Sequence, residues 1–308
     1  MVSHLLPDAT AAPLCSVFTK SLGVRPAGTG LSLDRVIVVS LATPWPKPAV
    51  GDPHLKAATA ALARSAVPSR LFAGEPWGGD HTIELYERDG LGFAAYRWTG
   101  STADEVTEVV STIAEAAHGA HGMAPVDVTV PTFLVCTQGS HDICCGDMGV
   151  ALADQIEQER SEYRLRRVSH TGGHRFAPTF LALPSGRMWA YADLALVDRV
   201  ATNSVTVDDL RMYCRGWLGA PTGFAQVAEL AARIEAGNPF LTAPMLSVDQ
   251  QDDLAHCQVT VDGVTTHVGV RRGREIPTIA CESPGGQPVK IAREFEWNVG
   301  GTERATME

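Results

Sequence analysis

Several features that define common protein classes are missing from this sequence. It contains no run of 18 apolar residues, the minimum for a membrane-spanning helix. The first thirteen residues lack both the basic segment and the apolar run of a signal peptide. Basic residues are not in surplus, because 25 Lys and Arg stand against 35 Asp and Glu, a net charge of −10. Since nucleic acid and anionic membranes repel such a chain, we expect neither as a partner and predict a soluble, cytoplasmic protein.

The arrangement of the cysteines excludes a further class. Seven cysteines at irregular spacing in a chain of 308 residues do not form the framework of a small disulfide-rich protein. The C-x-x-C pair that is usual in thiol–disulfide oxidoreductases is also absent. With 45% hydrophobic and 19% charged residues, the composition is that of a globular protein. A globular chain of this size does not need disulfides to fold, so we expect some of these cysteines to have a chemical role.

The order of predicted elements repeats once along the chain. A strand, a helix, three strands and a helix are predicted at 35–41, 53–65, 70–73, 82–87, 91–98 and 102–118. The same order recurs about 96 residues later, at 132–136, 147–160, 163–169, 176–183, 187–191 and 194–201, with Asp147 as the expected N-cap of its first helix. We interpret this as a degenerate duplication of a thioredoxin-like unit; chance likeness of two α/β halves is the alternative.

The repeat predicts both the fold class and the division of the chain. The class is α/β, with two tandem thioredoxin-like units and a small C-terminal α+β appendage. We place the N-terminal half, without ligands, at 1–125, the ligand-bearing half at 126–217 and the appendage at 218–308.

A basic strip lies on one strand of the second half. It consists of Arg164, Arg166 and Arg167, on the predicted strand 163–169. Two interpretations are open: an exposed edge strand, or a docking patch for an acidic partner or a small anion.

Two glycine-containing loops place cysteine and histidine after predicted strands. Cys136 and Cys145 are separated by eight residues, and His170 and His174 by three, with two glycines that disfavour a helix. Both loops begin at the carboxyl end of a strand, where α/β sheets bind ligands. Two thiols and two imidazoles form a four-ligand set that suits zinc or an iron–sulfur cluster. The eight-residue spacer exceeds the C-x₂₋₄-C knuckle of structural zinc sites, which favours the cluster.

These motifs resemble the sucrase/ferredoxin-like family, whose members include thioredoxin-like ferredoxins. The specific likeness is CTQGSHDICCG at 136–146 and HTGGHRFA at 170–177, followed by MWAY at 188–191. Cys15-Ser16 and the region of Trp45 extend the likeness over roughly residues 14–217. His141 is a departure, because many relatives carry another basic residue at that position. The sucrase part of the name has no counterpart here, since no pair of carboxylates is set up for glycoside hydrolysis.

The resemblance implies a ligand set. A single 2Fe–2S cluster would be held by Cys136, Cys145, His170 and His174, outside a Rieske fold. The family spacing selects Cys145 over Cys144, which becomes a spare thiol. The other cysteines, at positions 15, 214, 257 and 281, are expected to be buried small apolar residues. The N-terminal half offers no equivalent donors, because shifting the two cysteines by 96 positions gives Ser40 and Ala49.

The resemblance also implies a function. It favours an electron carrier of relatively high potential, coupled to proton uptake at its histidines, with a reductase and an acceptor protein as partners. No catalytic residue is assigned, and an enzyme built on this site would be an oxidoreductase. Two alternatives stay open: a structural zinc protein that acts as an interaction module, and a thiol–disulfide oxidoreductase that uses Cys144-Cys145 or Cys136.

Overall fold

The computed structural model describes residues 3–8, 13–77, 81–119, 121–238, 245–261, 263–281 and 288–304, in two compact units. The large-sheet unit comprises Leu33–Gly172 and Pro178–Gly186. The small-sheet unit comprises Met1–Ser32, Gly173–Ala177 and Arg187–Glu308. Parts of the predicted C-terminal appendage, at 239–244, 262, 282–287 and 305–308, lie outside the described residues.

Helices and strands alternate through most of the chain, which makes the protein a mixed α/β structure. The α-helices are α1 (Cys15–Ser21), α2 (Pro53–Leu62), α3 (Ala103–Glu115), α4 (Val150–Glu159), α5 (Leu194–Ala201), α6 (Val207–Tyr213) and α7 (Gly223–Glu235). The first strands are β1 (Arg35–Ser40), β2 (Ser69–Gly74), β3 (Thr82–Asp89), β4 (Gly92–Thr99), β5 (Ala124–Val126), β6 (Thr132–Cys136), β7 (Arg164–Val168) and β8 (Phe180–Leu183). The remaining strands are β9 (Arg187–Trp189), β10 (Cys214–Trp217), β11 (Met245–Gln251), β12 (Leu254–Val261), β13 (Val264–Thr278) and β14 (Lys290–Arg304).

A mixed sheet forms the large-sheet unit. Its strands lie in the order β8-β6-β7-β2-β1-β3-β4-β5. Strand β1 pairs parallel with β2 and antiparallel with β3, and β6 pairs in the same way with β7 and β8. Strands β1–β5 and β6–β8 meet where β2 and β7 pair at Gly74 and Val168.

Strands β1 and β6 are buried along their whole length, because their sequences are mostly apolar without alternation. Strand β1 reads RVIVVS and every residue in it is buried, as expected for a strand covered on both faces. Helix α2 begins where the Asp52 carboxylate accepts the N–H of His54, and α3 begins where the Thr102 hydroxyl accepts that of Glu105. Apolar side chains of both helices join those of β1 in one core.

The small-sheet unit combines helix α7 with an antiparallel sheet in the order β11-β12-β13-β14. Helix α7 packs on this sheet, where Phe224 meets Phe295 edge to face with ring centroids 5.0 Å apart. The Glu229 carboxylate of α7 bridges the guanidinium groups of Arg187 and Arg233, so its buried charge is paired. Among the described residues, no helix combines the length and the apolar character needed to cross a bilayer.

Two expectations from the sequence are wrong in detail. Strand β7 lies between β6 and β2, so the arginine strip is neither an edge strand nor an open docking patch. Its side chains are used internally: Arg166 pairs with buried Glu84, Arg167 pairs with carboxylates of α4, and Arg164 donates to a backbone carbonyl. Asp147 is not an N-cap, because it lies inside a π-helical turn, Cys145–Gly149, that leads directly into α4.

Candidate metal centre

The candidate metal centre lies at the carboxyl end of the parallel pair β6–β7. Cys136 is the last residue of β6 and pairs with Val168, the last residue of β7. His170 follows β7 by two residues. The cysteine loop and the histidine loop therefore leave the sheet side by side, at the edge where α/β sheets bind ligands.

Glycines let the cysteine loop fold back onto its own strand. A Cβ added at Gly146 would lie 2.7 Å from Cα of Gly139. A Cβ at Gly149 would approach the carbonyl oxygen of Cys136 to less than 3.0 Å. Between these contacts the chain forms the π-helical turn Cys145–Gly149, a conformation frequent at functional sites. The close backbone approach brings Cys145, at the start of the turn, next to Cys136.

Three of the four predicted ligands lie together. The Sγ atoms of Cys136 and Cys145 and a ring nitrogen of His170 all lie within 4.8 Å of one another. Nδ1 of His170 is 3.9 Å from Sγ of Cys136. Both cysteines are 1% exposed, whereas His170 is half-buried. Two buried thiols beside an imidazole form a donor set for a soft or borderline metal.

The two cysteines of this group differ in how readily they lose a proton. The pKa of the Cys136 thiol is well below its ordinary value because Cys145 hydrogen-bonds to its thiolate and His170 adds a further bond, against the effect of burial. The pKa of Cys145 is raised, since the hydrogen bond to Cys136 retains its proton and burial disfavours a second thiolate. Metal ligation by both sulfurs therefore releases the proton that they share.

Gln138 connects the cysteine loop with the histidine loop. Its Oε1 accepts the backbone N–H of His170 at 2.9 Å, and its Nε2 donates to the carbonyl of Pro46 at 2.6 Å. The carbonyl of His170 accepts a hydrogen bond from Nη2 of Arg70 at 3.1 Å. The peptide groups on both sides of His170 are thus held by side chains. Sequence reasoning missed Gln138; its place two residues after Cys136, inside the motif, was the available signal.

A second imidazole lies against His170. The rings of His141 and His170 stack with centroids 3.6 Å apart and an angle of 16° between their planes. The backbone carbonyl of His141 accepts a hydrogen bond from Nζ of Lys47 at 2.7 Å. The residue that departs from the family pattern therefore contacts a predicted ligand directly and limits the rotation of its ring.

His174, the fourth predicted ligand, belongs to the small-sheet unit. It opens the turn His174–Phe176, which follows Gly173 at a φ of +73°. The positive φ favours glycine at this position, and a Cβ on Gly173 would in addition displace the Arg215 guanidinium, which would lie 2.6 Å away. Nδ1 of His174 is 3.2 Å from Sγ of Cys15, the first residue of α1. Sequence reasoning treated Cys15 as a packing residue and missed this contact.

The remaining cysteines are buried, except for Cys281, which is half-buried. Cys144 is fully buried, and its backbone N–H donates to the Asp142 carboxylate at 2.9 Å. Cys145, not Cys144, supplies the sulfur that lies with Cys136 and His170. All seven cysteines are described, and none of them is joined in a disulfide. In the N-terminal half, Ser40 ends β1, in the place where Cys136 ends β6.

Comparison with known proteins gives one match. No curated protein and no solved structure was found to match the chain. The family model described as Sucrase/ferredoxin-like matches residues 26–215, more than half of the chain. The matched region includes the cysteine loop and the histidine loop. The chain therefore belongs to the sucrase/ferredoxin-like family.

Proposed function

We propose that the protein is an electron carrier in which Cys136, Cys145, His170 and His174 hold one 2Fe–2S cluster. The observation that carries this proposal is the group of two buried thiols and one half-buried imidazole at the ends of β6 and β7. The group occurs in a chain whose family description names ferredoxins, and ferredoxins carry electrons on iron–sulfur clusters.

The donor chemistry fits a cluster. Thiolates and imidazoles are the protein ligands of 2Fe–2S centres, and burial keeps both sulfur donors away from water. When bound, the cluster supplies a site that takes up and releases one electron. His170 and His174 bring no charge where cysteines would bring thiolates, so they favour electron uptake at a higher potential than four cysteines would. The second ring nitrogen of a ligating imidazole can carry a proton, so we propose that proton uptake accompanies electron uptake.

A structural zinc site is the second candidate. Three donor atoms within 4.8 Å of one another are close enough to bind a single metal ion. Cysteine and histidine are also the usual ligands of zinc. In that case the metal would stabilise the loops at the end of β6–β7, and the protein would act through its surface.

A thiol–disulfide oxidoreductase is the third candidate. The lowered pKa of Cys136 and the adjacent Cys145 favour it, because a thiolate next to a second thiol is the reactive arrangement of dithiol enzymes. The near-complete burial of both sulfurs speaks against it, since exchange with a substrate disulfide requires access.

We further propose that the chain contains two thioredoxin-like halves derived by duplication. The proposal is supported by the strand pairing, which is the same in both halves. The first strand pairs parallel with one neighbour and antiparallel with the other, as β1 does with β2 and β3 and as β6 does with β7 and β8. Helices α2 and α4 occupy equivalent places after the first strand of each half. The proposed division of the chain at 1–125, 126–217 and 218–308 follows this duplication. Because Ser40 and Ala49 stand in place of the two cysteines in the first half, we propose one cluster per chain.

The proposed carrier exchanges electrons with a reductase and an acceptor protein in the cytoplasm. Seven cysteines without a disulfide suit a reducing compartment. The net charge of −10 favours redox partners with a basic docking face.

Visible and EPR spectra of the anaerobically purified full-length protein test the proposal, together with counts of iron, sulfide and zinc. We expect two iron and two sulfide per chain, visible absorption, and an EPR signal after reduction by one electron. Stoichiometric zinc without iron or sulfide would replace the proposal by the structural zinc site. Metal-free protein that cycles between a Cys136–Cys145 dithiol and disulfide would replace it by the oxidoreductase.

A further inference from the structure

Helix α1 holds the turn that carries His174 at both of its ends. At the start of the turn, Sγ of Cys15 lies 3.2 Å from Nδ1 of His174. At its end, the hydroxyl of Ser16 donates to the carbonyl of Ala177 at 2.5 Å. Cys15 and Ser16 are adjacent and almost fully buried. The first turn of α1 therefore fixes both the imidazole ring of His174 and the backbone of the turn that carries it.

Cys15 is itself held in place by its neighbours in the small-sheet unit. Its backbone N–H donates to Sγ of Cys281 at 3.2 Å, and its carbonyl accepts the hydroxyl of Thr19 at 2.8 Å. These contacts fix the Cys15 sulfur at hydrogen-bond distance from Nδ1 of His174. The position of Cys15 thus has a consequence for the chemistry of the imidazole.

The contact bears on which ring nitrogen of His174 carries the proton. A neutral imidazole has one N–H and one nitrogen with a free lone pair, and only the latter binds metal. In proteins, the hydrogen bond made by one ring nitrogen decides the role of the other. A cysteine sulfur is a weak but sufficient acceptor for such an N–H.

We infer that Cys15 is the positioning residue of His174: its sulfur accepts the Nδ1–H and leaves Nε2 as the metal-binding nitrogen. This inference rests on the proposed function, since it gives His174 the role of a ligand. It adds a residue of α1 to the centre, 159 positions away from His174 in the sequence. Helix α1, which lies outside both ligand loops, then helps to orient a ligand.

NMR of the ¹⁵N-histidine-labelled full-length protein loaded with zinc tests the inference without iron chemistry. Long-range ¹H–¹⁵N spectra show which nitrogen of each ring carries the proton, and His174→Gln assigns the signal. We expect Nδ1–H for the wild type and for Cys15→Ser, which keeps an acceptor. In Cys15→Ala the same proton should lose its hydrogen-bonded shift and exchange with water faster. Cys257→Ala, which removes a buried thiol from β12, is the matched control and should leave the His174 signal unchanged.

A proton on Nε2 of His174 in the wild type would overturn the inference, and so would an unchanged signal in Cys15→Ala. In the iron-loaded protein, loss of the acceptor should speed loss of the cluster to a chelator about 10- to 100-fold, with recovery in Cys15→Ser. A wild type without iron and sulfide would refute the proposed cluster but not this inference, because the zinc spectra report on the ring independently. The two failures are therefore distinguishable.

Discussion

Replacing Gly149 with alanine tests whether a backbone contact sets the spacing of Cys136 and Cys145. Gly149 ends the π-helical turn that Cys145 begins, and it lies against the carbonyl of Cys136. An alanine Cβ would come closer than 3.0 Å to that oxygen, a separation that real Cβ atoms essentially never show. The obstacle is backbone and cannot rotate away. Either β6 or the turn must shift, and with it one of the two sulfurs.

Two opposing contributions determine the size of the effect. Overpacking of a close contact costs about 1–3 kcal/mol, and a clash with backbone belongs at the upper end. Alanine offsets about 0.5–1 kcal/mol of this cost, because glycine is the poorer helix former. We therefore expect Gly149→Ala to lower the free energy of unfolding by about 2 kcal/mol. Gly51→Ala is the control, since the nearest atoms to its Cβ belong to Pro48 at 3.9 Å, an ordinary contact.

Urea unfolding and metal analysis of the two variants provide the measurement. Gly149→Ala should unfold at lower urea than Gly51→Ala and should retain less iron and sulfide per chain, because its cysteines are displaced. Equal unfolding midpoints together with full iron and sulfide content would refute the reasoning. That outcome would mean that the glycine contact neither limits the loop nor positions the ligands.

Three further predictions concern the donors and their support. Cys144→Ser should keep the visible spectrum and Cys145→Ser should lose it, because only Cys145 lies with Cys136 and His170; the reverse pattern would reassign the ligand. His170→Cys should lower the midpoint potential measured by voltammetry, since a thiolate replaces a neutral donor; an unchanged or higher potential would show that His170 is not a ligand. Gln138→Ala should lower the free energy of unfolding in urea by about 0.5–1.5 kcal/mol, because the N–H of His170 and the carbonyl of Pro46 lose their hydrogen bonds to Gln138; Gln138→Glu, which keeps the acceptor for His170, should recover part of the loss, and equal stability of both variants would contradict the role given to Gln138.

The sequence predicts the place of the centre because that place depends on local features. A β-branched apolar run marks each strand, and the residues that follow its last position lie at the sheet edge whatever the rest of the chain does. Cys136 and His170 are located by this rule alone. The same rule predicts the equivalent place at Ser40 in the N-terminal half.

The sequence could not predict contacts that depend on tertiary packing. Periodicity marks β7 as a strand but does not say that β2 covers its open side, so the arginines on it looked exposed. The link from Gln138 to His170 spans 32 residues and that from Cys15 to His174 spans 159, distances over which local pattern carries no information. The π-helical turn was missed for a related reason: its cause is a close approach of Gly149 to β6, and a helical pattern alone placed the start of the helix at Asp147.

The N-terminal half, which carries no predicted donor, supports the histidine loop directly. The carbonyl of Ala73 in strand β2 accepts the backbone N–H of Ser169, and the Ala73 N–H donates to the Ser169 hydroxyl. Arg70 from the same strand donates to the carbonyl of His170. Gln138 from the other side accepts the N–H of His170. Strand β2 therefore fixes one side of His170 and the cysteine loop fixes the other, and rotation of the imidazole ring is further limited by the stacked His141. His170 held in this way has little freedom to move, which is the property that the proposed electron carrier requires of its ligand. The N-terminal half thus keeps a role in the fold, because its strand β2 limits the motion of His170.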